Sequence, residues 1–314
     1  MSEKKILLED IAPIDLYGIN DSKLELIKKR FPKLKIVARG EVIKATGDEN
    51  EINQLEMLLN ILTAYFNRYG NLTENAMEQI LGNTVNSKGN TEITNADDVL
   101  VFGNNGLIIK ARTPNQRRIV ESIVKNDMVF AIGPAGTGKT YTAVALAVRA
   151  LKNREVKKII LTRPAVEAGE NLGFLPGDLR EKLDPYLQPL YDALEDMIAP
   201  EKLVYYRENR IIQIAPLAFM RGRTLDNAFV ILDEAQNATE GQLKMFLTRM
   251  GASAKFLITG DITQVDLPKS QPSGLIQAMK LLNKTEGIEF IQLDGSDVIR
   301  HKLVKRIIEV YDTK

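Results

Sequence analysis

The sequence predicts an α/β fold whose larger part is a doubly wound, mostly parallel sheet, preceded by a small α+β domain. In residues 110–314, short apolar runs suited to buried strands alternate with helical segments, which is the pattern of a parallel sheet covered on both faces. Residues 1–82 instead show the order strand, helix, strand, strand, helix. Between the two domains, residues 83–109 begin with a stretch rich in Asn, Thr, Gly and Ser, which is typical of a linker.

The elements of the N-terminal domain follow from periodicity and from residues that favour helix ends. Asp21 is a good N-cap, Pro32 ends the helix that begins there, and Gly40 lies in a turn between two strands. The predicted elements are a strand at 5–8, a helix at 21–30, strands at 35–38 and 42–45, and a helix at 50–69.

Gly18 begins a turn that enters the first of these helices. In that respect the domain resembles a KH-type RNA-binding module, whose G-x-x-G loop holds the nucleic-acid backbone. The fourth position of the loop is Asp21 rather than glycine, and its carboxylate would repel phosphate, so a small protein-docking domain is the alternative interpretation. Nearby basic residues would favour RNA or simply form a solvated helix end: Lys28, Lys29, Arg30, Lys33 and Lys35.

Six apolar runs in the second domain predict the strands of the parallel sheet. Ligands of such sheets lie beyond the carboxyl ends of the strands, so the residues that follow each run are the candidates for function. The predicted strands are 128–132, 158–162, 211–214, 229–233, 255–259 and 289–293.

A phosphate-binding loop follows the first of these strands and matches G-x-x-x-x-G-K-[ST]. In this motif successive backbone N–H groups surround a polyphosphate, the Lys139 ammonium reaches the outer phosphates, and the Thr140 hydroxyl binds Mg²⁺. The helix predicted at 141–151 adds the positive end of its dipole, and Gly136 permits close approach of the backbone. The candidate nucleotide-binding residues are Gly133, Pro134, Ala135, Gly136, Thr137, Gly138, Lys139 and Thr140.

An acidic pair stands at the end of the apolar run that begins at Phe229. Asp233 would hold Mg²⁺, and Glu234 would polarise the water that attacks the γ-phosphate of ATP. The alternative is that the pair only caps a helix that begins near Glu240. Combined with the phosphate loop, the pair predicts an Mg²⁺-dependent ATPase.

Two glutamines are further candidates for the same site. Gln264 ends the sequence Gly-Asp-Ile-Thr-Gln after the strand at 255–259, where its amide would sense the γ-phosphate. Gln116 ends the sequence Thr-Pro-Asn-Gln shortly before the loop strand, where its amide would pair with the adenine edge. Either glutamine alone is more often a surface residue, whereas their combination with the phosphate loop is specific.

Together these motifs resemble the PhoH family over about residues 110–312. The resemblance rests on TPNQ at 113–116, GPAGTGKT, LTRPAVEAGENLGFLPGDLREK from Leu161, FMRGRTL from Phe219, DEAQN from Asp233 and GDITQ from Gly260. It implies a P-loop ATPase with the single RecA-like lobe of superfamily 1 RNA helicases and suggested links to RNA metabolism. One variant of the family carries a PIN ribonuclease domain, for which this sequence has no candidate segment, so nuclease activity is not expected.

We therefore expect an ATPase that is coupled to RNA. Arg163, Arg221 and Arg223 are candidate RNA-contacting residues, with the alternative that they brace the nucleotide or a neighbouring subunit. A second interpretation is a slow, nucleotide-dependent scaffold that regulates a partner such as an rRNA-maturing endoribonuclease. A metabolite kinase is disfavoured because no acceptor pocket or lid is evident.

The single lobe lacks the second lobe with which superfamily 1 helicases close their ATP site. An arginine delivered by a neighbouring subunit would stabilise the transferring phosphoryl group, so a homo-oligomer, a hexameric ring, is expected. Arg300 is the first candidate for this arginine and Arg306 is the second. The alternative is that both lie on the solvated face of a C-terminal helix.

Composition excludes several classes of protein. With no cysteine among 314 residues, the chain has neither disulfides nor a thiolate metal site, and the lone His301 cannot form a zinc site. Neither a secretory signal nor a membrane span is evident in the sequence, so a cytoplasmic location is expected.

Overall fold

The computed structural model describes residues 2–83, 99–104, 107–164, 179–268, 270–299 and 303. The chain divides into two compact units, Met1–Lys110 and Ala111–Lys314. Within the described residues, no helix has the combination of length and apolar character that crossing a membrane requires.

The first unit contains a three-stranded antiparallel sheet, in the order β1-β3-β2. Each strand and helix predicted for it lies within a few residues of an observed element. Its core consists of apolar side chains from the sheet and from the helices, among them Ile27, Ile43 and Leu58. The elements of this unit are β1 (Ser2–Leu7), α1 (Pro13–Tyr17), α2 (Ser22–Arg30), β2 (Lys35–Arg39), β3 (Val42–Gly47), α3 (Glu49–Tyr69), α4 (Glu74–Asn83), β4 (Val99–Phe102) and β5 (Ile108–Lys110).

The hairpin of β4 and β5 corrects the prediction that residues 83–109 are a linker. The two strands pair antiparallel, and the buried ring of Phe102 meets the ring of Tyr65 edge to face, with centroids 5.2 Å apart. Val99 and Ile108 pack on the core of the first unit. The C-terminal part of the predicted linker therefore belongs to this unit, because its short apolar runs are buried there.

The loop between α1 and α2 has a constrained backbone. Gly18 has φ +78°, and a Cβ atom there would lie 2.7 Å from the Ser22 hydroxyl oxygen, so the position requires glycine. Asn20 and Asp21 also have positive φ, and the Tyr17 hydroxyl donates to the Gly40 carbonyl at 2.8 Å. The loop lies where the G-x-x-G element was predicted, and the KH-like interpretation itself stays a prediction.

The second unit confirms the predicted doubly wound fold. Among its described residues, six strands form one sheet in the order β11-β6-β10-β9-β7-β8, and every neighbouring pair is parallel. Its elements are α5 (Pro114–Lys125), β6 (Met128–Ile132), α6 (Lys139–Lys152), β7 (Lys158–Arg163), α7 (Leu179–Met197), α8 (Pro200–Glu208), β8 (Ile212–Pro216), β9 (Ala228–Leu232), α9 (Glu240–Leu247), β10 (Lys255–Gly260), α10 (Gly274–Leu282) and β11 (Ile288–Gln292).

Two central strands of this sheet, β6 and β9, are buried along their whole length, as their unbroken apolar runs predicted. Every residue of β6 and β9 is buried, and the ring of Phe130 stacks on that of Phe290 with centroids 4.4 Å apart. Because the strands are parallel, their carboxyl ends meet at one edge of the sheet. The residues that follow β6, β9 and β10, and Arg163 at the end of β7, therefore gather there.

Candidate functional site

The phosphate loop connects β6 to α6 and depends on its glycines. Gly136 and Gly138 have φ of +86° and +76°. A Cβ atom on Gly133 would lie 2.5 Å from the Leu293 carbonyl oxygen. The Lys139 ammonium donates to the carbonyl oxygens of Gly133 at 2.6 Å and Pro134 at 2.9 Å. The loop thus has the conformation, and the cation, that binding a polyphosphate requires.

Gln116 is a buried brace of this loop. Its Nε2 donates to the Thr137 carbonyl at 2.9 Å, and its Oε1 accepts from the Arg112 backbone N–H at 2.7 Å. A Cβ atom on Gly138 would lie 2.9 Å from the same Nε2. Both polar atoms of the amide are bonded to backbone of the chain itself, so contact with adenine would require an exchange of these bonds. The proposed role of Gln116 in adenine binding stays a prediction.

Asp233 connects the phosphate loop to the ends of β9 and β10. It is buried, and its Oδ1 accepts from the hydroxyls of Thr140 at 2.7 Å and Thr259 at 2.6 Å. A carboxylate with neighbouring hydroxyl oxygens is the donor set that suits Mg²⁺. Thr259 was missed in the sequence, although its place near the end of a buried strand, before Gly260 and Asp261, was an available signal.

Glu234 lies beside Asp233 in an unusual conformation. Its φ of +53° places a non-glycine residue in the left-handed region, which costs free energy and is concentrated at functional sites. Gln236, a buried residue that the sequence analysis did not single out, donates from Nε2 to the Glu234 carboxylate at 2.5 Å. The Glu234 side chain keeps 33% of its surface exposed, so water can reach it.

Gln236 and Asn237 also fix the loop that follows β10. Gln236 accepts from the Asp261 backbone N–H at 2.9 Å and donates to the Gln264 carbonyl at 3.2 Å. Asn237 exchanges two hydrogen bonds with Asp266, at 2.9 and 2.8 Å. The loop that carries Gln264 is therefore tied to the turn that carries Glu234, whereas Gln264 itself is exposed. Its role as a γ-phosphate sensor stays a prediction.

Arg163, at the end of β7, lies beside the two acids. Its Nη1 is 4.0 Å from Asp233 Oδ2, its Nη2 is 3.8 Å from Glu234 Oε1, and Nη1 donates to the Tyr186 carbonyl at 3.1 Å. This position is compatible with the alternative that Arg163 braces the nucleotide, and its role stays a prediction. Arg223 braces the chain through Gln213 at 2.7 Å.

A buried carboxylate, Asp297, joins the segment after β11 to the start of α5. Asp297 accepts from the Asn115 side chain at 2.8 Å and from the Asp294 backbone N–H at 2.9 Å. Burial alone would raise the pKa of Asp297, but hydrogen bonds from Thr113, Asn115 and the backbone hold it below its usual value.

Asp297 thereby positions the segment that follows β11. Two residues later the Ile299 backbone N–H donates to the Gly136 carbonyl at 3.1 Å, so this segment runs along the phosphate loop. The predicted arginine fingers, Arg300 and Arg306, lie outside the described residues. So do residues 165–178, which are part of the long motif that begins at Leu161.

The phosphate loop follows β6, and its Thr140 hydroxyl donates a hydrogen bond to Asp233 at the end of β9. This arrangement places the second unit among the P-loop NTPases. Comparison with known proteins narrows this class. Residues 108–312 match the family model described as PhoH-like protein. The chain therefore belongs to the PhoH-like family.

Members of this family are similar to the chain over much of its length. The chain is 50% identical over 301 residues to a PhoH-like protein of Bacillus subtilis, and this match covers 95% of this chain and 93% of that protein. The chain is also 43% identical over 205 residues to Protein PhoH of Escherichia coli K12, and this match covers 65% of this chain and 58% of that protein. Among solved structures, the crystal structure of Pif1 helicase from Candida albicans is similar at 14% identity and a TM-score of 0.34, covering 65% of this chain and 43% of that one.

Proposed function

We propose that this chain is an Mg²⁺-dependent ATPase of the cytoplasm that is coupled to RNA. The ATPase activity is supported by one observation: Thr140 and Thr259 donate hydrogen bonds to Asp233, and this cluster lies next to Lys139 and Glu234. This cluster unites a phosphate-binding loop, a set of oxygen ligands and a water-accessible carboxylate at one edge of the sheet.

The division of labour follows from these positions. The loop N–H groups and Lys139 bind the phosphates of ATP, and Thr140 and Asp233 would hold the metal. Bound there, Mg²⁺ would neutralise charge on the phosphate oxygens. Glu234 accepts the proton of the attacking water, while Gln236 keeps its carboxylate in place.

The test is ATP binding and phosphate release by the purified chain, with Mg²⁺ and with excess EDTA. Hydrolysis that EDTA abolishes supports the proposal. Tight ATP binding with no hydrolysis, with or without RNA, would favour the nucleotide-dependent scaffold instead. Absence of ATP binding would overturn both.

RNA is the proposed macromolecular partner, on the strength of the helicase-type motifs and of exposed cations such as Arg221. Binding should weaken steeply with salt because Lys and Arg release counterions from phosphate. The ATPase rate is measured with and without single-stranded RNA at several salt concentrations. An unchanged rate and no RNA binding at low salt would leave the scaffold for an rRNA-maturing endoribonuclease as the better proposal.

A hexameric ring with Arg300 of each subunit at its neighbour's ATP site is the proposed assembly. Mixing Glu234→Gln protein with Arg300→Ala protein should restore activity, because some interfaces then pair an intact Glu234 with an intact Arg300. A strictly monomeric protein with full ATPase activity at nanomolar concentration contradicts this assembly.

A further inference from the structure

We infer that Arg163 acts in cis on the γ-phosphate, as a catalytic arginine built into each subunit. The inference rests on the proposed ATPase. It assigns Arg163 to the nucleotide rather than to RNA, and it is separate from any arginine that a neighbouring subunit supplies.

The backbone fixes Arg163 next to the acidic pair. β7 and β9 are neighbouring parallel strands in which Thr162 pairs with Leu232. The next residues, Arg163 at the end of β7 and Asp233 just after β9, therefore lie side by side. The Asp233 backbone N–H donates to the Thr162 carbonyl at 2.9 Å, which extends the pairing to the strand ends. The position of the arginine is therefore a property of the sheet.

The guanidinium is held near the acids without being bonded tightly to them. Its distances of 4.0 Å to Asp233 and 3.8 Å to Glu234 exceed hydrogen-bond length, whereas the bond to the Tyr186 carbonyl on α7 is 3.1 Å. Its side chain is 24% exposed, so part of it is open to solvent. The guanidinium has five N–H donors, so it can give a phosphate oxygen a short, charge-assisted hydrogen bond while it keeps the bond to the Tyr186 carbonyl.

This geometry suits the charge that develops during hydrolysis. The water oxygen bonds to the γ-phosphorus, the bond from that phosphorus to the β,γ-bridging oxygen breaks, and ADP leaves with the electron pair. The water proton passes to Glu234. Arg163 keeps all of its protons and stabilises the negative charge on the γ-phosphoryl oxygens, the role that an arginine in cis performs in other NTPases.

The test compares Arg163→Ala and Arg163→Lys with wild type, using Arg207→Ala as the matched control. Arg207 also contacts α7, over the ring of Tyr191, but outside the site. We expect kcat to fall by about 10³- to 10⁵-fold in Arg163→Ala, since that is the usual effect of such an arginine. Arg163→Lys retains the charge without the bidentate fork and should be intermediate.

Two further measurements separate catalysis from structure. Arg163→Ala should bind ADP as wild type does but lose the tight complex with ADP and aluminium fluoride, which mimics the transferring phosphoryl group. Mixing it with Glu234→Gln protein should restore nothing, because both residues are needed in the same subunit.

Several outcomes would contradict the proposed role of Arg163. If wild type hydrolyses ATP and Arg163→Ala and Arg163→Lys both match it, or if mixing restores activity, the inference is overturned. Equal loss of ADP binding and aluminium fluoride binding in both variants also overturns it, because Arg163 would then only support the fold. If wild type neither binds nor hydrolyses ATP, the proposed function fails and the inference fails with it.

Discussion

The Thr140 hydroxyl lies 2.7 Å from Oδ1 of Asp233, although the two residues are 93 positions apart in the chain. The same oxygen accepts from Thr259 at 2.6 Å, so the phosphate loop, the end of β9 and the end of β10 share one carboxylate. This sharing fixes the positions of the oxygens that we propose bind Mg²⁺. It also makes the site sensitive to changes on any of the three elements.

Thr259→Val should weaken the response to Mg²⁺ because Asp233 loses a buried donor that orients it. Partners of metal ligands are commonly worth about 10- to 100-fold in metal affinity or activity, and we expect the Mg²⁺ concentration for half-maximal ATPase rate to rise within that range. Thr248→Val, at an exposed position whose hydroxyl donates to the Lys244 carbonyl of α9, is the control. Identical Mg²⁺ titrations for the two variants would disprove this role of Thr259.

Lys139→Ala and Glu234→Gln should separate binding from chemistry. Loss of the ammonium should weaken ATP binding by about 10- to 100-fold, the worth of one charged hydrogen bond. Loss of the general base should leave ATP affinity intact while kcat falls by about 10²- to 10⁴-fold. Equilibrium binding of a fluorescent ATP analogue and phosphate release measure the two effects. Wild-type turnover by Glu234→Gln would show that the base is another residue.

Gln236→Leu should lower kcat with little change in KM, because Gln236 is buried and positions Glu234 and the loop of Gln264. Misplacement of a reacting group by about 1 Å can cost about 10²-fold in rate. Gln271→Leu, at an exposed position, is the control. A rise in KM with unchanged kcat would instead indicate that Gln236 supports substrate binding.

Asp297→Asn should destabilise the protein near neutral pH more than in acid. The pKa of Asp297 is lowered in the folded state, so its ionised form stabilises the fold above the unfolded pKa of about 3.9, and this contribution is lost as pH falls through the folded pKa. At pH 7 we expect a loss of about 1–3 kcal/mol, the cost of disrupting buried hydrogen bonds.

Urea unfolding at pH 7 and pH 3 measures this difference, with Glu208→Gln at the exposed end of α8 as the control. The gap between Asp297→Asn and wild type should narrow in acid. A gap that is the same at both pH values would mean that the charge of Asp297 contributes nothing.

The sequence by itself determined the parts of the site that are contiguous in the chain. Gly133 to Thr140 form the expected loop because their conformations depend on glycine at fixed positions and on the helix that follows. The six strands of the second unit were predicted because buried parallel strands are continuous apolar runs, a signal that each segment carries alone. The hairpin of β4 and β5 was missed because runs of four and three residues become recognisable only when they pair and bury Phe102.

Only the tertiary structure decided which strand ends lie together. The order β11-β6-β10-β9-β7-β8 is set by packing across the whole sheet, and no local pattern encodes it. That order brings Thr259 to Asp233 and Arg163 to Glu234. It places Gln236, which the sequence shows only as part of a motif, where its amide donates to the Glu234 carboxylate. It also engages Gln116 with the backbone of the phosphate loop, because a buried amide must satisfy its donor and acceptor wherever the fold places it.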